Sequence, residues 1–94
     1  MKYFDWNELK NIQLKAERGV CFEDIVTAIN EGDLLTTLNH HRQDLYPNQK
    51  IYVVRISDYA YLVPFIEEAE KYFLKTIFPS RKMTKKYLFK RRKE

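Results

Sequence analysis

Residues 51–66 read IYVVRISDYAYLVPFI, and they decide the fold. Ile51 to Ile56 is a run of β-formers with Val53 and Val54 in its middle. Ser57-Asp58 interrupts it, and Tyr59, Tyr61, Val63 and Phe65 then alternate with the residues between them. Two such runs around a two-residue polar break make antiparallel strands joined by a tight turn. Pro64 cannot donate to a ladder, so that end of the second strand is an edge or a bulge. Downstream, Glu67-Glu68-Ala69-Glu70 reads as a polar turn and 72–78 as a last strand, with Lys75 between Phe73 and Ile77 on one face. Upstream, Leu34, Thr36 and Leu38 alternate with Leu35 and Thr37 in another short strand. Between that strand and Ile51 lies a polar loop of about eleven residues, long for a compact domain and of the kind that carries function.

Before Gly32 the period is that of a helix. Phe22, Ile25, Val26 and Ile29 stand at i, i+3, i+4 and i+7, with Glu23 and Asp24 in the first turn where the helix dipole favours carboxylates. An earlier helix shows a narrow stripe of Leu9, Ile12, Ala16 and Leu14, with Asp5 and Glu8 as its capping pair. Gly19 and Gly32 sit where these two helices end. Tyr3, Phe4 and Trp6 form a short strand ahead of them, and a helix begins at Ser80 or Met83. The order is β-α-α-β-β-β-β-α. It describes an α+β domain: two amino-terminal helices packed on one face of an antiparallel sheet of four or five strands, then a short carboxy-terminal helix. Residues 1–94 make one domain, with a basic, frayed tail at 89–94.

Composition narrows the function classes. The longest apolar run, 59–66, is far short of the ~20 residues that cross a bilayer, and the opening MKYFDWNELK lacks the apolar core of a signal peptide. A cytoplasmic protein without membrane partners is expected. A lone cysteine, Cys21, excludes an internal disulfide and a cysteine-built zinc site. Charge is unevenly placed. Residues 1–74 hold eight Lys/Arg against twelve Asp/Glu, whereas residues 75–94 hold nine against one. A basic end on an acidic domain points to an anionic partner, nucleic acid ahead of membrane.

Candidate chemistry follows the cations. Lys75 and Arg55 occupy strand positions that alternation would make apolar. Arg81 and Lys82 follow Pro79-Ser80 where the last strand gives way to a helix, a fair place for a phosphate. His40 and His41 are adjacent and lack a third ligand at metal spacing, so no metal site or cofactor is expected; one of them can still carry a proton near neutral pH. Cys21 opens the second helix, where a thiol's pKa can fall, yet no base accompanies it. Of the many aromatics, Tyr46 in the loop and Tyr87 in the basic segment have the least packing reason to be there.

Phe4-Asp5-Trp6-Asn7-Glu8 with Lys10, then Glu17-Arg18-Gly19-Val20-Cys21-Phe22-Glu23-Asp24, resembles the opening of BrnT-type toxins of type II toxin–antitoxin systems. Lys75-Thr76-Ile77-Phe78-Pro79-Ser80-Arg81-Lys82-Met83-Thr84 resembles that family's closing strand and basic run. The chain departs from the family pattern at Arg18 (histidine), Cys21 (serine), Pro79-Ser80 (Ser-Ala) and Tyr87 (often glutamate). The resemblance implies a RelE-like fold and a metal-independent endoribonuclease that cleaves RNA, inhibits translation and growth, and is neutralised in a hetero-oligomer by a ribbon-helix-helix antitoxin. The resemblance carries over Arg81 and Lys82, as phosphate clamps, and Lys50, as an electrostatic contact; the chemistry of the residues themselves adds His40 or Tyr87 as proton carrier. Lys75, Arg55, Lys85 and Lys86 are then RNA-binding cations. The rival expectation is a non-catalytic module that docks nucleic acid or a partner on its basic end.

Overall fold

A computed structural model describes residues 2–89. Of the tail read at 89–94, positions 90–94 lie outside the described residues. The elements run β1 (Tyr3–Trp6), α1 (Glu8–Arg18), α2 (Phe22–Asn30), β2 (Leu34–Asn39), β3 (Gln49–Ile56), β4 (Tyr59–Glu67), β5 (Lys71–Leu74), β6 (Phe78–Pro79) and α3 (Arg81–Thr84), which widens into a π-helical coil over Lys85–Phe89. The architecture is α+β. Six strands form one mixed sheet in the order β1-β5-β4-β3-β2, with β6 pairing β4 beside β5.

The hairpin at its centre is as the sequence reads. Ile56 pairs Tyr59 across Ser57-Asp58, both of which adopt left-handed φ of 52° and 63°. That is the conformation a two-residue turn needs to follow strand twist. Both helix-ending glycines are also left-handed, Gly19 at φ 72° and Gly32 at φ 88°.

Four expectations are corrected. The sheet is not wholly antiparallel, because β1 pairs β5 in parallel, Tyr3 against Lys71 through Trp6 against Leu74. The meander fixes directions only for strands joined by tight turns; β1 reaches the sheet through two helices, a connection long enough for a parallel crossover. The strand expected over 72–78 is two strands. Phe65 pairs Leu74 but Leu62 pairs Phe78, so three steps on β4 face four on its partner, a one-residue bulge at 75–77. The bulge turns Ile77 inward with Leu74, both fully buried, and leaves Lys75 exposed, so Phe73, Lys75 and Ile77 do not share a face. Asn39 and Gln49 belong to strands, which shortens the long loop to 40–48.

The fourth correction concerns α1. Its cap is Asn7, whose side chain accepts the Lys10 N–H, while Asp5 lies in β1 and pairs with Lys71 at 2.9 Å. Leu9 and Ile12 are 78% and 59% exposed, and the helix buries Asn11 and Leu14 instead. Asn11 explains the rotation. Its Oδ1 accepts the Phe22 N–H at 2.7 Å and its amide donates to Glu23 at 2.8 Å, satisfying a free donor at the start of α2.

The principal core lies between α1–α2 and one sheet face: Leu14, Phe22 and Ile25 pack on Tyr52, Val54, Val63, Phe65, Leu74 and Ile77. Val53 and Ala60 are also buried, yet stand on the other face by strand alternation. On β4, helix α3 is anchored by buried Thr84, whose hydroxyl accepts the Ala60 N–H at 2.9 Å. Among the described residues no helix is long and apolar enough to cross a membrane.

Candidate functional site

A cleft of about 410 Å³ opens where the 40–48 loop meets the sheet, lined by His40, His41, Gln49, Lys50, Pro64 and Lys75 among others. The 75–77 bulge and the loop build it together. The Lys75 N–H bonds the Pro64 carbonyl at 2.8 Å, and the His40 N–H bonds the Gln49 carbonyl at 3.1 Å, continuing the β2–β3 ladder one step beyond Asn39. Alternation then sets His40 opposite Gln49 and Lys75 beside Pro64, on the face away from α1 and α2.

The bulge also has a structural cost, and Arg18 meets it. Its guanidinium donates to the Ile77 carbonyl at 2.5 Å, tying the end of α1 to the irregular segment that presents Lys75.

His40 is positioned at both ends of its residue. Its Nδ1 accepts the Arg42 N–H at 3.0 Å, and its carbonyl accepts from the Gln43 amide at 2.8 Å. An accepting Nδ1 places the proton of the neutral ring on Nε2, so Nε2 is a donor here and not a base. The ring stacks on His41 at 4.6 Å and 17°, and lies tilted against Tyr46 at 4.6 Å and 45°.

The structure divides the cations singled out in the sequence. Lys50 is at the cleft, but its ammonium is engaged 3.0 Å from Glu67, which also holds Lys2 at 2.7 Å. These two lysines hold the Glu67 carboxyl below its ordinary pKa, chiefly by hydrogen bonding. Arg55 is no free RNA contact either. It lies 2.9 Å from Asp33 and 3.6 Å from Asp58, in a groove that Asp24 and Glu31 also line. A phosphate arriving there would meet four carboxylates.

Lys75, Arg81, Lys82 and Lys85 are exposed, and among the described residues none of their side chains meets a carboxylate. Lys86 lies over the Tyr87 ring at 5.5 Å. Ser80 caps α3, its hydroxyl accepting the Met83 N–H, and its own N–H bonds the Ala60 carbonyl. Arg81 and Lys82 therefore start from the Ala60 end of β4, whereas the cleft is at Pro64. Four residues of strand separate these levels, about 13 Å. His40 and Lys75 share the cleft; Arg81, Lys82, Lys85, Lys86 and Tyr87 form a second basic group on the carboxy-terminal helical segment.

Cys21 is not an activated thiol. Desolvation comes first among the causes that raise its pKa, and its N–H is engaged with the Asp24 carboxylate at 3.1 Å. Sequence reasoning missed Gln49 and Glu67. The signal for both was register: once His40 is seen to extend the ladder, Gln49 faces it, and Glu67 lies near Lys50 across the β3–β4 pair.

No family model matches the chain, and neither a curated protein nor a solved structure matches it.

Proposed function

We propose that this chain is a BrnT-type, RelE-like toxin that binds RNA through the cleft and the carboxy-terminal basic group and cleaves it without a metal ion. The observation that carries this reading is Lys75, which meets no carboxylate among the described residues and lies in one cleft with a positioned histidine. The motif resemblance supplies the family, and two amino-terminal helices on one face of a meander sheet suit it.

The chemistry asked of the cleft is limited. A ribose 2′-oxygen attacks its neighbouring phosphorus and loses its proton to solvent water; the bond from phosphorus to the 5′-oxygen breaks, and that oxygen takes up a proton from solvent. Fixed cations and donors facing the phosphate oxygens lower the barrier, and such electrostatic stabilisation is usually the largest contribution. Lys75 supplies the cation, and the Nε2–H of His40 supplies a hydrogen-bond donor toward the same phosphate. Arg81 and Lys82, about 13 Å along the strand, suit a neighbouring phosphate better than the scissile one. An acidic antitoxin segment would cover these same cations.

A non-catalytic docking module is favoured by one feature: with Nδ1 engaged, His40 offers no lone pair to accept the 2′-hydroxyl proton. One experiment separates the readings. Purified protein is incubated with naked RNA in EDTA beside Lys75→Ala and His40→Ala. Cleavage by wild type, reduced in Lys75→Ala, supports the toxin reading; binding without cleavage leaves the docking module.

A further inference from the structure

We infer that the 40–48 loop is a stacking platform for an unpaired RNA base, with Lys75 holding the adjoining phosphate. This inference rests on the reading of the cleft as an RNA site and adds what part of the RNA it recognises.

His40 is the ring common to two contacts, stacked on His41 and tilted against Tyr46, 4.6 Å from each. None of the three rings belongs to the core, and Tyr46 remains 42% exposed. The cluster is nevertheless held in place. Besides the three hydrogen bonds on His40, the Tyr46 N–H bonds the Arg42 carbonyl at 2.9 Å, and the Gln49 N–H bonds the Tyr46 carbonyl at 3.2 Å. His40 and His41 line the cleft with Lys75, and Tyr46 packs on His40 beside it; aromatic rings held next to a cation are the equipment of single-strand recognition, since every base offers a π-face. Gln49 lines the same cleft, and a glutamine amide carries both a donor and an acceptor for a base edge. A base inside a duplex cannot use such a platform, because its faces are already stacked.

The test is equilibrium binding of the full chain at low salt to 2′-O-methyl oligonucleotides, which lack the attacking hydroxyl. Three are compared: a single strand, an abasic strand of equal length and charge, and the duplex. The single strand should bind about tenfold more tightly than the other two, the scale of one base–aromatic stack. Tyr46→Ala should remove that preference and Tyr46→Phe should keep it. Equal binding of the single and abasic strands overturns the platform while leaving a cation-driven RNA site. Absence of binding to all three overturns the platform together with the RNA reading.

Discussion

Cations before Leu74 and cations after it are handled differently by the same small domain. In the first group Lys2, Arg42, Lys50, Arg55 and Lys71 each reach a carboxylate, and Arg18 reaches the Ile77 carbonyl. Lys10, half-buried, and Lys15, exposed, both on α1, are the exceptions among the described residues. In the second group Lys75, Arg81, Lys82 and Lys85 reach none among the described residues. A paired cation contributes to holding the chain together, and an unpaired one keeps its charge for something outside it. The contrast separates cations engaged within the fold from cations whose charge stays available, which charge counting alone does not do.

The largest effect is expected from the unpaired group. Replacing Lys75, Arg81 and Lys82 together with Ala should lower RNA cleavage by about 10²-fold or more, the scale of losing electrostatic contacts to a transition state. Thermal stability should stay within about 0.5 kcal/mol, as for other exposed substitutions. Cleavage assays beside thermal melts check both halves. Arg18→Ala tests the paired group: an uncompensated Ile77 carbonyl should cost about 1–2 kcal/mol, read by denaturant unfolding.

The hairpin offers a smaller, opposite effect. Asp58 sits at φ 63°, and Asp33 already holds Arg55. Ser57→Asn with Asp58→Gly should raise stability by about 1 kcal/mol by relieving two left-handed residues, and should leave RNA affinity unchanged. The smallest effect belongs to acid pH. Because its folded-state pKa is lowered, Glu67 contributes stability above its ordinary value of 4.5 and loses it as pH falls through the lower folded value. Glu67→Gln should flatten that part of a stability-against-pH curve.

Much of this was legible in the sequence. The hairpin, both glycine-ended helices and the helix after Ser80 follow from period, turn residues and caps. What was not legible depends on pairing. A two-residue period cannot announce a bulge, so Lys75 and Ile77 read as neighbours on one face until the register with β4 separated them. Leu9 and Ile12 read as core because an apolar stripe outweighs one asparagine, whereas Asn11 satisfies the start of α2 and turns the stripe outward. For the candidate site, residue type singled out His40 and Lys75, which the fold brings to one cleft, but Lys50 and Arg55 look alike in sequence to any free cation. Glu67 and Asp33, distant along the chain, and Asp58, one turn away from Arg55, are what engage them.

The most direct test of the division is the salt dependence of RNA binding. Each neutralised phosphate of a single strand contributes about −0.7 to the slope of log K against log salt. The Lys75, Arg81 and Lys82 triple variant should make that slope shallower by about 2. Replacing Lys50 and Arg55, whose charges are engaged within the protein, should leave it unchanged. A slope that the triple variant does not alter, or that falls equally on losing Lys50 and Arg55, would contradict the division between paired and unpaired cations.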